Sequence, residues 1–293
     1  MSNKAWIGLA AVAIAAIAVV PWMLQRARRR QIRTELLAEL KPVVLKNCDL
    51  KRFGSPNDGG YLLCENLSDG IQSAYSYGIG PDDAFGRDVS KRYGVAVHQY
   101  DCFDPSRPKY EGARLVFHDE CIGPRAERDQ DQRVFDTLQN QISRNGDTGK
   151  RLIVKIDVEG AEWDSLLATP DAVLEKIDQI PMELHGVNER RYLELVRRLK
   201  QKFYLVNLHF NNWWCPRFSR ELIGRVVRRF EFQRLWTNFF PGLDPFPAPV
   251  FQVLWVNNRI GVIDESAPVP APFSRLNAPD NPHLPDCQLP SRS

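Results

Sequence analysis

The chain lacks the marks of several common protein classes. None of its six cysteines (Cys48, Cys64, Cys102, Cys121, Cys215, Cys287) belongs to a Cys-x-x-Cys pair, and none of the five histidines sits at metal-finger spacing. That argues against a zinc module, and no metal site is expected. The cysteines are scattered through 293 residues, which predicts reduced thiols rather than a disulfide framework. The net charge is only +3, too small to imply a nucleic-acid partner. Five of the positive charges, Arg26, Arg28, Arg29, Arg30 and Arg33, fall in one short run, so the basic character is partly local. There is no internal repeat.

One apolar run is long. "AWIGLAAVAIAAIAVVPWML", residues 5–24, carries no charge. A membrane-spanning helix needs about 20 such residues, and Trp6 and Trp22 sit where interfacial aromatics belong. The run exceeds the roughly 7–15 residues of a signal-peptide core, and Pro21, Trp22 and the arginines make a poor cleavage site. An uncleaved single-pass anchor is therefore predicted. Positive flanks stay cytoplasmic, so the arginine cluster predicts a domain on the cytoplasmic side of a membrane. Arg26–Arg33 could also touch anionic lipid, at ~1 kcal/mol for each residue.

Hydrophobic content of 43% and charged content of 26% suit a globular domain with a sizeable core. Leu36, Leu37, Leu40 and Val44 lie at helical spacing within 33–45. Seven segments then read as strands: "QSAYSY", "VAVHQYD", "RLVFHD", "RLIVKID", "QIPMELH", "FYLVNLHF" and "VFQVLWVNN". Helical patterns fall between them, at "AFGRDVSKRY", 128–143, "EWDSLLATPDAVLEKI" broken at Pro170, and "NERRYLELVRRLKQK". Such alternation predicts an α/β fold, a parallel sheet with helices on both faces and a hairpin-like end. The organisation expected is a flank (1–4), an anchor (5–24), a basic linker and helix (25–49) and a domain over 50–264. Within the domain, the aromatic and basic stretch 211–249 is a candidate lid over an acceptor. A Pro-rich tail without fixed structure (265–293) follows.

The polar residues that end the predicted strands would share one rim. Gly78 and Gly80 of "SYGIGPDD" allow a tight turn and close approach of a ligand to bare backbone; an ordinary glycine turn explains them as well. The third glycine of a dinucleotide fingerprint is absent, and Asp82 and Asp83 stand there instead. They would repel a pyrophosphate and suit a positive centre. Asp101 ends the next strand, where an acid commonly grips ribose hydroxyls, or it caps a turn. Asp119 and Glu120 could accept from an adenine amine, or lie in a solvated loop. Asp157 ends a central strand and Glu159 follows it; a carboxylate there can orient a ligand amine or take a proton from a hydroxyl. Acids at a helix start are also favourable in themselves, which accounts for Glu159 and Glu162 more readily than for Asp157. Glu183 and His185 end "QIPMELH", where a histidine beside an acid can act as general base.

In order, "NDGGYLLC", "SYGIGPDDAF", "VHQYDCFDP", "LIVKIDVEGAEW" and "QIPMELHG" resemble the FkbM-type branch of S-adenosylmethionine-dependent methyltransferases, and within it a membrane-anchored group. The resemblance spans residues 50–260, and "KIDVEGAEW" is its most specific part. It implies a Rossmann-like class I methyltransferase fold with a seven-stranded sheet, with S-adenosyl-L-methionine as cofactor. It implies that Gly78 and Gly80 line the methionine part of the donor, Asp101 holds its ribose, and Asp157 sits near the reacting centre. It further implies O-methylation of a small molecule, sugar or lipid acceptor. Ser76 replaces the acid usual two residues before the first glycine, which leaves the donor amine to Asp157, Asp82 or Asp83. A NAD or nucleotide-sugar enzyme and a non-catalytic membrane adaptor with a degenerate fold are the competing readings.

Overall fold

A computed structural model describes residues 21–22, 24–215, 246–268 and 276–287. Most of the expected anchor and residues 216–245 of the expected lid lie outside them. Among the described residues no helix is long and apolar enough to cross a membrane.

The first helix, α1, covers 24–39 and stops ahead of Pro42, which cannot continue it. It thus ends earlier than the helical spacing over 33–45 suggests. A hairpin follows, of β1 (Leu50–Gly54) and β2 (Gly60–Cys64), then a 3-10 turn over Glu65–Ser68. Next come β3 (Ser73–Tyr77), α2 (Ala84–Tyr93), β4 (Val97–Tyr100) and β5 (Leu115–His118). Three short strands, β6 (Cys121–Ile122), β7 (Glu127–Arg128) and β8 (Val134–Asp136), form a small sheet of their own. The chain continues through α3 (Leu138–Arg144), β9 (Leu152–Ile156), α4 (Glu162–Ala168), α5 (Asp171–Leu174), β10 (Ile177–His185), α6 (Arg190–Leu199), β11 (Phe203–Phe210) and β12 (Val250–Asn257).

The seven strands read from the sequence are the seven of the main sheet, ordered β11-β12-β10-β9-β3-β4-β5. Only β12 runs antiparallel to its neighbours, which makes the expected hairpin-like end with β11. From β3 the chain steps outward to β4 and β5, then returns to the other side of β3 for β9. Strand order therefore reverses between β3 and β9, and open α/β sheets bind ligands at the carboxyl ends of strands at such a point.

Alternate residues of each strand face opposite sides, so the sheet has two cores. Tyr75, Tyr77, Val154, Ile156, Met182 and Trp255 pack with Leu36 and Leu40, Leu138 of α3, Trp163 of α4 and Leu195 of α6. On the other face Ala74, Ile153 and Leu254 pack with Phe85 and Val89 of α2 and with Phe53, Tyr61 and Leu63 of the hairpin. The fold is mixed α/β, with a mostly parallel seven-stranded sheet flanked by helices, compatible with a Rossmann-like arrangement.

Three expectations need correction. The helix expected over 128–143 is confined to α3; Val134 belongs instead to β8, and Thr137 caps the helix by accepting from the Asn140 N–H. The thiols expected to be reduced are paired, Cys48 with Cys64, Cys102 with Cys121 and Cys215 with Cys287. Spacing along the chain carries no information on which cysteines meet in space. The tail expected to lack fixed structure is tied down over 276–287: Asn207 and Asn277 exchange amide hydrogen bonds, His209 Nε2 lies 3.0 Å from Asp286, and Cys287 is bonded to Cys215. Residues 269–275 and 288–293 of that tail lie outside the described part.

Candidate functional site

Because β3, β4, β9 and β10 are parallel, their carboxyl ends open on one edge of the sheet. Gly78, Gly80, Asp101, Asp157, Glu183 and His185 all lie there. Within it they form two groups.

The first group is built on β3 and β4. Gly78 has φ +70° and is held on three sides: its N–H donates to Tyr100 O, Lys155 Nζ donates to its carbonyl, and an added Cβ would overlap the Asp157 carbonyl oxygen. This glycine lets two strands close up. Gly80 differs: a Cβ there meets nothing within 4 Å, so its bare face looks into open space. Asp101 is buried and already engaged. Its Oδ2 accepts from Gly80 N–H at 3.0 Å, and its Oδ1 from Phe103 and Asp104 N–H at 2.8 and 2.9 Å. A carboxylate has about four lone-pair sites, so Oδ2 can still take one hydroxyl. The Cys102–Cys121 bond fixes the loop that begins beside it.

Of the other acids expected to serve this group, all but Asp119 are occupied by the protein. Asp83 caps α2, accepting from Gly86 N–H, Ser76 Oγ and Gln99 Nε2. Ser76, at the place of an expected acid, thus serves the cap. Asp82 accepts from Tyr110 OH. Glu120 pairs with Arg144, while Asp119 is exposed at the end of β5.

The second group is built on β9 and β10. Asp157 Oδ2 accepts from Tyr61 OH at 2.7 Å and lies 3.7 Å from Lys155 Nζ. Lys155 is buried and donates to the carbonyls of Tyr77 and Gly78, so it braces β3 against β9. Glu162 is fully buried at the start of α4. It accepts from the His185 N–H at 2.6 Å, faces His185 Nδ1 at 3.2 Å, and accepts from Gly160 N–H. A carboxylate only accepts, so Nδ1 must carry a hydrogen and Nε2 is turned to the rim. Nε2 lies 3.4 Å from Glu159, 3.8 Å from Glu183 and 4.0 Å from Asp157. Glu159 itself is exposed and holds φ +54°, a conformation costly for a side-chain-bearing residue.

Burial and the charges of Asp157 and Asp280 push Glu183 above the ordinary carboxyl range. Burial alone would lower His185, but the hydrogen bond and charge of Glu162, with Glu183 and Asp157, raise it above an ordinary histidine. At neutral pH His185 is therefore an imidazolium set among acids. Burial first, then Asp157 and Glu183, raise the Tyr61 hydroxyl, which stays protonated and donates.

Glu183 also starts a polar row across the sheet end. In register beside it lie Gln252 of β12 and His209 of β11. Asn211 and Gln252 donate to the two Glu183 oxygens, and Gln252 also donates to Asp280 of the tail. Among the described residues, two sets of three side chains have ligand atoms within 4.8 Å of one another and could hold a metal ion: Asp157, Glu183 and His185, and Asp58, Glu183 and Asp280.

Tyr61, Lys155, Glu162, Asn211, Gln252 and Asp280 are members of the site that reading by sequence missed. Lys155 had a signal, a lone charge inside the apolar run "LIVKI". Asp280 had none. No match to the chain was found among models of known protein families, curated proteins or solved structures.

Proposed function

We propose that the chain is an S-adenosylmethionine-dependent methyltransferase that methylates a hydroxyl oxygen. The observation that carries the reading is the rim itself: at the reversal of strand order, an open glycine face and a partly free buried acid stand beside a histidine–carboxylate cluster. The fit to the donor is favourable at two atoms. Gly80 leaves space, and Asp101 Oδ2 keeps one acceptor position for a ribose hydroxyl.

When bound, S-adenosylmethionine supplies a methyl group on positively charged sulfur. Gly80 and Asp101 would hold the donor, and alignment of the two reactants can contribute up to ~7–11 kcal/mol. Asp157 takes the acceptor's proton, while Tyr61 and Lys155 keep its carboxylate in place. His185, held by Glu162, donates from Nε2 in its charged form. A positioned base contributes about 10²–10⁴-fold.

Calorimetric titration of the full chain with S-adenosylmethionine tests the reading. Asp101→Ala should weaken binding, and Asp157→Asn should abolish transfer while leaving binding in place. No binding to the intact protein would sink it. The structural duties of Gly78 and Asp83 favour the adaptor alternative, for which binding would be absent.

The three disulfides support placing the domain in an oxidising compartment, since such bonds persist there and are rare in the cytosol. This reading competes with the cytoplasmic placement expected from the arginine cluster. Protease protection in sealed membranes separates the two.

A further inference from the structure

We infer that Asp58, Glu183 and Asp280 form a binding site for a hard divalent cation of the Mg²⁺, Mn²⁺ or Ca²⁺ type. The inference goes beyond the methyl-transfer reading and stands without it.

Three separate parts of the chain bring these carboxylates together. Asp58 sits in the turn between β1 and β2, Glu183 on β10, and Asp280 in the returning tail. The turn and the tail are fastened to each other next to the ligands, because Asn57 Nδ2 donates to Pro279 O at 2.8 Å. One oxygen from each acid lies within 4.8 Å of the others. Three like charges at that separation repel unless a cation or protons stand between them.

A second observation is independent of the clustering. Asp280 is only 4% exposed, and its Oδ2 is buried without a hydrogen-bond partner. A buried carboxylate oxygen with no donor is costly, and such atoms call for an explanation by an ion or water. Among the protein's own cations Arg52 acts on Asp280 and Asp58 through its charge, and its Nη1 is likewise buried without a hydrogen-bond partner, but no ion pair joins it to either acid, and its Nε and Nη2 donate to the carbonyls of Ser55 and Asn57. Arg52 thereby shapes the turn that presents Asp58. His209 is taken up by Asp286.

The donor set indicates the class of ion. It is made of carboxylate oxygens only, which suits hard cations rather than zinc or copper. The amides of Asn211 and Gln252 orient Glu183, the kind of support that first-shell ligands usually need. Asp58 is exposed, so the ion has a way in and room for water ligands on that side. Glu183 also belongs to the neighbouring group with Asp157 and His185, so the ion would lie beside the rim rather than apart from it.

The test uses the full chain stripped with EDTA and titrated with Mn²⁺, free Mn²⁺ being followed by electron paramagnetic resonance. Saturable uptake is expected, with displacement by Ca²⁺ or Mg²⁺ and a rise in Tm on adding metal. Asp280→Asn and Asp58→Asn should each weaken binding by about tenfold or more. In EDTA, Asp280→Asn should be no less stable than the parent, because it removes a buried carboxylate whose Oδ2 has no donor; a purely structural Asp280 would show the opposite. Asp58→Asn, on an exposed turn, keeps the test usable if the Asp280 variant does not fold. Absence of saturable Mn²⁺ uptake, or unchanged affinity in both variants, would overturn the site.

Discussion

Gly78 and Gly80 are two residues apart, both have positive φ, and both were expected to face a ligand; the structure gives them opposite duties. Substituting alanine at each separates those duties. At either position the side chain must adopt the left-handed conformation, at about 1–2 kcal/mol. For Gly80→Ala that is the whole structural cost, since nothing lies within 4 Å of the new Cβ. For Gly78→Ala the methyl overlaps the Asp157 carbonyl oxygen, while the hydrogen bonds to Tyr100 and Lys155 hold the residue in place. Either β3 and β9 part or the lysine brace breaks, which belongs with the losses of about 4–5 kcal/mol or more. Against a total stability of about 5–15 kcal/mol, Gly78→Ala should be barely folded. Gly80→Ala should lose only that ~1–2 kcal/mol and unfold at a modestly lower urea midpoint than the parent. Calorimetry then gives the second readout: Gly80→Ala, though folded, should bind S-adenosylmethionine poorly, because its methyl occupies the space assigned to the donor. Equal unfolding midpoints for the two variants would refute the packing argument. Undiminished donor binding by Gly80→Ala would refute the assignment of that space.

Further outcomes are expected. Glu162→Gln removes the largest favourable partner of the His185 cation, so the His185 proton should be lost at lower pH by NMR titration. In the parent, the stability from His185 is fully present below about pH 6.5 and fades as pH rises through its elevated folded value. His98 behaves oppositely: burial, only partly offset by Asp147, lowers it to about 4. The unfolded chain takes up that proton first, so stability should fall between about pH 6.5 and 4, by about 3 kcal/mol at most, and His98→Gln should flatten that acid limb in denaturation curves. Replacing both Cys102 and Cys121 by serine opens a loop between cysteines 19 positions apart and should cost about 3 kcal/mol by urea unfolding, with the parent losing more than that under reductant, which opens all three bonds.

The seven sheet strands were legible because each is a short run of apolar, β-branched and aromatic residues, bounded by polar or glycine turns. The rim followed from them, since parallel strands must end on one edge. Legibility failed where one pattern serves two structures. Val134, Leu138 and Ile142 fit a helical stripe, yet the first lies in a strand and the other two follow a Thr137 cap. It failed again where a residue's partners are distant. Asp83 looked free to meet a ligand, but its cap is completed by Ser76 and by Gln99, a strand away. Glu162 passed for a routine helix-start acid, and only burial beneath His185 reveals its function. Six cysteines admit many pairings, and nothing local selects among them.

The Asn57–Pro279 fastening joins positions 222 residues apart. During synthesis at about 5–20 residues per second, Gly80, Asp101, Asp157 and Glu183 can all be in place well before Asp280 and Cys287 emerge. A nascent chain would thus carry a formed sheet with an unfinished acidic corner. A chain stalled short of Pro279 would lack Asp280, the Asn57–Pro279 fastening and the Cys215–Cys287 bond while holding the rest of the rim.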